Sequence, residues 1–348
     1  MDLSKIFLKN ACPTPVGGQA VMEGIMMRGM ERTAVAVRLP DGRIHMKTQP
    51  NRKLGKWAKI PLVRGVVSFV MSLYEGTKIL MYSADVLEAN WSEEDGAEED
   101  KLDQWMKKTF GEKGAWNIMI YLSVILALVM TIGMFILLPT VVANLLKPVI
   151  DSDFAFNLVE GIMRIVIFVV YLALISRMKD IQTVFQYHGA EHKCIHCFEN
   201  NLELTPANAQ QFYTLHPRCG TSFLLFVMVI SFVLHLFLGW PNLALRIISR
   251  LLLVPVVAGL SYELLKWAGR SDNWLVKILS LPGLYLQKLT TNEPSDEQLE
   301  VAIAAMKAVM VPEDTPYFEG ICDLDGNFLE ENPIERKSKE KDSDTTEA

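Results

Sequence analysis

The segment His188-Gly189-Ala190-Glu191-His192 brings two imidazoles and one carboxylate into five residues. Side chains four apart on a helix share a face, so His188 and His192 can place two ring nitrogens on one divalent cation, zinc first among those that suit such donors. Glu191 then lies beside the ion without binding it, placed to take a proton from a bound water whose pKa the cation has lowered toward neutrality. His196 continues the row, and four of the six histidines fall between positions 188 and 216, with Cys194, Cys197 and Cys219 among them.

A third donor is needed, and His216, Cys219, Glu199, Glu203 and Glu263 are all chemically acceptable. In one arrangement His188, His192 and Glu263 bind zinc with a position left open. The order His-x-x-Glu-His is that of the inverted zincins, and Glu263 resembles their downstream carboxylate ligand. In a second, Cys194-x-x-Cys197 and His216-x-x-Cys219 form two knuckles that close a structural tetrahedron and leave no catalytic position. In a third, His216 or Cys219 joins His188 and His192, which needs only the two ends of one connection to meet. Arg218 could steady an anionic intermediate. Against all three stands a reading in which these histidines cap, hydrogen-bond or face lipid headgroups with no metal. Glu23 and Arg28, in a Gly-rich run, form either a structural pair or a support for the site or its substrate. His235 reads as a satisfied or lipid-shielded histidine, and Glu160 with Arg164 as residues of the membrane interface.

The elements that must hold these residues are mostly apolar helices. Half of the 348 residues are apolar and 21% charged, and the mean hydropathy is above zero. The uncharged run from Gly114 to Leu146 is long enough to cross a bilayer, so an integral membrane protein is expected, with four candidate spans. They lie within Asn117 to Leu146 and near Asn157 to Ser176, Thr221 to Trp240 and Ile247 to Lys266. Lys101, Lys107, Lys108 and Lys113 before the first span, and Arg177, Lys179, Lys193 and Arg218 after the second, put both termini and the His-rich connection on the cytoplasmic side. Arg246 and Arg250 fall on the opposite side. The first residues, MDLSKIFLKNACP, lack the apolar core of a cleaved signal, so the first span is expected to direct insertion as well.

The fold class read from these patterns is a mainly α integral membrane protein with a small β-containing N-terminal cytoplasmic unit. Val35, Val37 and Leu39, the turn Pro40-Asp41-Gly42, and Ile44 and Met46 spell a hairpin in that unit. The chain divides into a Gly-rich unit (1–60), an interfacial or re-entrant helix with an acidic linker (61–113), spans one and two (114–176), the His/Cys-rich connection (177–220), spans three and four (221–268), cytoplasmic helices (269–311) and an acidic, largely disordered tail (312–348). Ser295 and Gln298 form a capping box in the penultimate unit. The net charge of −6 conceals a basic stretch from Arg28 to Arg64, which is a solvated face or a surface for anionic headgroups. Five irregularly spaced cysteines argue for reduced thiols.

Taken together, GGQAVMEGIMMRG (17–29), YHGAEHK (187–193), LHPRCGTSF (215–223), SYELLKWAGR (261–270) and LPGLYLQKLTTNEPSDEQLEVAIAA (281–305) resemble the YqhQ-like family of bacterial membrane proteins. The resemblance covers about residues 14–310. It implies a protein of the bacterial cytoplasmic membrane with a metal-dependent activity and no assigned substrate, and maps the family pattern onto His188, Glu191, His192, His216, Cys219 and Glu263. The expected function is a zinc-dependent hydrolase at the cytoplasmic face, acting on a membrane-proximal peptide, a lipid headgroup or an amide. The alternative is a scaffold or transporter-accessory protein with a structural metal. Membrane lipids are expected partners and nucleic acid is not, and a homo-oligomer or a membrane-protein partner is compatible with the pattern.

Overall fold

The computed structural model describes residues 6, 12–52, 55, 60–90, 108–109, 111–146, 148–150, 152–237, 243–268, 274–329 and 332–333. The acidic run 93–100, Arg270, most of the first eleven residues and the end of the tail lie outside the described residues.

Four strands open the chain, β1 (Gly17–Val21), β2 (Gly24–Arg28), β3 (Arg32–Arg38) and β4 (Ile44–Pro50), each antiparallel to the next. The β3–β4 hairpin pairs Ala36 with Met46 and Val37 with His45. Its turn needs Gly42 at φ 87°, a conformation that glycine adopts at no steric cost. Asp41 braces it by accepting the Arg43 N–H at 2.9 Å.

The helices follow in order: α1 (Val63–Ala89), α2 (Glu112–Ile132), a π-helical turn at Gly133–Leu137, α3 (Leu138–Leu146), α4 (Asp153–Ile175), α5 (Lys179–Glu199), a single turn α6 (Pro206–Ala209), α7 (Thr221–Leu236), α8 (Leu243–Ala268), α9 (Trp274–Thr290) and α10 (Asp296–Val309). Two further strands, β5 (Phe318–Cys322) and β6 (Asn332–Pro333), complete a six-stranded sheet in sequence order.

Successive residues of a strand face opposite ways, and here both faces are covered. Ala34, Ala36, Ile44 and Met46 pack on Tyr187, Ala190 and Cys194 of α5 and on Leu299, Ala302 and Met306 of α10. Val35, Val37 and Leu39 pack on Ile79, Val86 and Leu87 of α1 and on Ile321 of β5. The result is a three-layer body in which α5, the helix of the His-x-x-Glu-His segment, lies directly on the sheet.

Composition assigned the chain after Val311 to a mostly disordered tail; instead Phe318–Cys322 pairs with β4, Ile44 opposite Cys322. An unpaired β4 would be an open edge, and Ile321 and Cys322 also extend the two cores. The acids that made this segment look unstructured are engaged. Glu319 accepts from Tyr82 at 2.9 Å and from Lys47 at 2.7 Å, and Asp323 closes the following turn through Asn327.

Three described stretches are long and apolar enough to cross a membrane, Leu122–Leu146, Phe154–Ile175 and Leu251–Ala268. The expected third span, α7, is a helix of 16 residues, short of the roughly 20 that a hydrocarbon core asks. The capping box is present as read: Ser295 Oγ accepts from Gln298 N at 3.3 Å and Gln298 Oε1 from Ser295 N at 2.9 Å. Ser295→Ala should cost about 1 kcal/mol, measurable as a small lowering of the thermal midpoint.

Candidate metal centre

Helix α5 places His188, Glu191, His192, His196 and Glu199 along one side, facing the chain that leads into α7. Two glycines allow this. A Cβ on Gly189 would stand 2.1 Å from the Asn292 carbonyl oxygen, where the chain leaving α9 crosses α5 and Asn292 N–H bonds the Phe185 carbonyl at 2.9 Å. At Gly18 a Cβ would meet Met26 O at 2.7 Å and Glu191 Cδ at 3.0 Å. Without one, β1 comes close enough for the Gly18 N–H to bond Glu191 Oε1 at 2.8 Å.

The first group is His188, His192 and Cys219, whose donor atoms all lie within 4.8 Å of one another. His188 Nδ1 is 2.8 Å from the Thr290 carbonyl oxygen and His192 Nδ1 is 2.5 Å from that of Thr214. A carbonyl oxygen only accepts, so both Nδ1 atoms carry the proton, and the Nε2 of each neutral ring presents a lone pair. His188 Nε2 lies 3.2 Å from Cys219 Sγ. His192 Nε2 is buried with no hydrogen-bond partner.

The electrostatics match this arrangement. Burial opposes ionisation of the Cys219 thiol, but the charges of His192 and His188 and the bond from the His188 ring outweigh it and hold the thiol well below its ordinary value. Burial likewise opposes protonation of His188, and Cys219 beside it outweighs that, raising the imidazole to about 9. A cation bound here would take the place of any proton on His188 Nε2 and on Cys219 Sγ. Glu191 is pushed up by burial, against the pull of His192 and His188 and of the Gly18 bond.

The second group is His196, Glu199 and His216. The ring centroids of His192 and His216 are 5.7 Å apart and those of His196 and His216 are 4.6 Å apart, so the four imidazoles form a continuous row. Gln287 of α9 fixes His216 by accepting its N–H at 2.9 Å and donating to its carbonyl at 3.0 Å.

Several residues singled out by sequence stand elsewhere. Glu263 does not reach the histidines: it sits on α8 and pairs with Arg64 of α1, Nε to Oε1 at 2.6 Å, joining two helices that meet where Gly65 faces Gly259. Both side chains are about a quarter exposed, 23% and 27%, and Glu263→Gln should leave metal content unchanged. Loss of metal in that variant would return Glu263 to the ligand set. The two-knuckle tetrahedron is not assembled, because Cys194 Sγ faces the Ala302 carbonyl at 3.7 Å and Cys197 Sγ that of Glu203 at 3.4 Å. Arg218 is held by both oxygens of Glu199, which removes it as a free donor to an intermediate. Arg28 pairs with Glu75 of α1 at 2.8 Å, and Glu23 occupies the exposed β1–β2 turn at φ 46°. Sequence reasoning did not find the Thr214 and Thr290 carbonyls or the Gln287 clamp. Carbonyls leave no side-chain signal, and Gln287 reads as one polar residue in an apolar helix.

Uncharacterized protein YqhQ of Bacillus subtilis (strain 168) is 36% identical over 310 residues, spanning 87% of this chain and 94% of its own length. No solved structure matches the chain. With residues 60–311 matched by the profile described as protein of unknown function (DUF1385), and with the histidine row and α5 inside that match, the chain belongs to the DUF1385 family.

Proposed function

We propose that this chain is a multi-pass protein of the bacterial cytoplasmic membrane and a metal-dependent hydrolase whose centre, at the cytoplasmic face, is His188, His192 and Cys219. The observation that carries the reading is the partnerless, buried Nε2 of His192, turned toward two further donors by a ring whose other nitrogen a carbonyl has fixed. Metal-bound histidines regularly donate their second N–H in this way, and an unsatisfied buried acceptor is costly otherwise. Membrane insertion is supported by the exposure of Leu122, Ile125, Leu126, Leu128 and Val129 around α2 and of Val166, Val170 and Leu174 on α4, faces that water would penalise.

Zinc is the ion that two imidazoles and a thiolate suit best, and when bound it would supply a water of lowered pKa. His188 and His192 would hold it, with Cys219 as the anionic donor. Glu191, its carboxylate oriented by the Gly18 N–H, would accept a proton from water at the centre. Substrates within reach are a membrane-proximal peptide, a lipid headgroup or an amide. The near-complete burial of His192 and Cys219 favours the second reading, a scaffold pinned by a structural ion. Metal content by mass spectrometry on the purified chain tests the centre: His188→Ala and His192→Ala should each lose one zinc equivalent while remaining folded. Equal metal in all three proteins would refute the site.

A further inference from the structure

We propose that His196, Glu199 and His216 form a second divalent-cation centre, separate from the His188, His192 and Cys219 group and able to bind whether or not that group does. The argument starts from two buried atoms with nothing to bond. His196 is 2% exposed and its Nε2 is 3.0 Å from the Leu215 carbonyl oxygen, which fixes the proton on Nε2 and leaves Nδ1 as an acceptor. That Nδ1 is buried and without a partner. His216 is 4% exposed and its Nε2 is likewise without one. The carboxylate of Glu199, 2% exposed, is the third donor, with Oε2 at 3.6 Å from His216 Nε2. That separation is too long for a hydrogen bond and is the spacing of two atoms that ligate a common ion. All three donor atoms fall within 4.8 Å of one another.

The carboxylate is already bonded, and this is compatible with the role. Thr14 N–H reaches Oε1 at 2.9 Å and Arg218 reaches both oxygens. A carboxylate offers about four lone-pair sites, and ligating carboxylates are as a rule hydrogen-bonded in turn. Loading His216 at Nε2 moves its ring proton to Nδ1 and gives up a 3.3 Å contact from the Arg218 N–H, a weak bond by its length. The donor set of two imidazoles and one carboxylate suits zinc, cobalt or a related transition ion. It lacks the thiolate of the first group and carries the Arg218 guanidinium beside it, so it fills second.

The two centres differ in sulfur, and this makes them separable by light absorption. Full-length protein in nanodiscs, stripped with chelator and titrated with cobalt(II) chloride, should develop a thiolate-to-cobalt charge-transfer band with the first equivalent. The second equivalent should add only ligand-field bands. In Cys219→Ser the charge-transfer band should vanish while one equivalent of ligand-field absorption remains. Zinc reconstitution followed by mass spectrometry should give two ions per chain, falling to one in His196→Gln and to one in His192→Gln. Saturation of the unaltered chain at one cobalt, with every band tracking the thiolate, would overturn the second centre without touching the first. Unchanged zinc in a folded His196→Gln chain would do the same. The unaltered chain's titration needs no variant, so a misfolded variant leaves the decision intact.

Discussion

Glu191→Gln is expected to lower hydrolytic turnover by about 10²–10⁴-fold, the usual contribution of a positioned proton acceptor, while the metal content stays at the level of the unaltered chain. The substitution keeps the shape of the side chain, and its amide oxygen can still accept the Gly18 N–H that Glu191 Oε1 accepts at 2.8 Å. Burial already favours an uncharged group at this position, so a neutral amide should fold normally. Turnover is to be followed on amide, ester and phosphoester substrates with protein in nanodiscs, with metal assayed on the same samples. A variant with full metal and undiminished hydrolysis would remove Glu191 as the proton acceptor, and no hydrolysis by the metal-loaded unaltered chain would favour the scaffold.

The second large effect should come from Gly189→Ala. A helix interior ordinarily gains about 1 kcal/mol from this exchange. Here the new methyl would stand 2.1 Å from the Asn292 carbonyl oxygen, and a main-chain atom cannot swing aside as a flexible side chain can. Overpacking of this kind costs about 3 kcal/mol, leaving a net loss of about 2 kcal/mol. The strain lies beside the residues that fix the histidines, because Asn292 follows Thr290, whose carbonyl orients His188. Moving α5 off this crossing should lower affinity for the metal by about 10–100-fold, as loss of an outer hydrogen bond to a ligand typically does. Thermal unfolding and zinc competition measure the two effects; a stabilised variant with unchanged affinity would contradict the packing described here.

Local signals were legible where they were strong. The β3–β4 hairpin is spelled by period-two alternation around Asp41-Gly42, and the start of α10 by Ser295 and Gln298. The third ligand was harder, because chemistry admits five donors and only the fold selects among them. Glu263 finds Arg64 across 199 residues of sequence, and Glu199 finds Arg218 across the whole loop after α5. Gly189 is a poor helix former by propensity, yet it is the residue that lets the chain leaving α9 cross α5. The strand Phe318–Cys322 was hidden by its own charges, since only the register with β4 shows Glu319 opposite Lys47.

Strands β1 to β4, helix α5, helix α10 and strand β5 belong to one packed body, and this restricts how the chain threads a bilayer. Each crossing changes the side on which the polypeptide emerges. The interval from β4 to α5 and the interval from α5 to α10 must therefore each contain an even number of crossings. The first interval holds two long apolar stretches, Leu122–Leu146 and Phe154–Ile175, and closes on itself. The second holds Leu251–Ala268, which alone would leave α10 and β5 on the wrong side of the membrane from their partners. On the proposal that the chain is membrane-inserted, the apolar helix α7, packed against α8 and α4, would supply the return leg despite its length of 16 residues. On that proposal three crossings would part α10 and β5 from the sheet they pack on, and an even number, four with α7, would keep the packed body on one side.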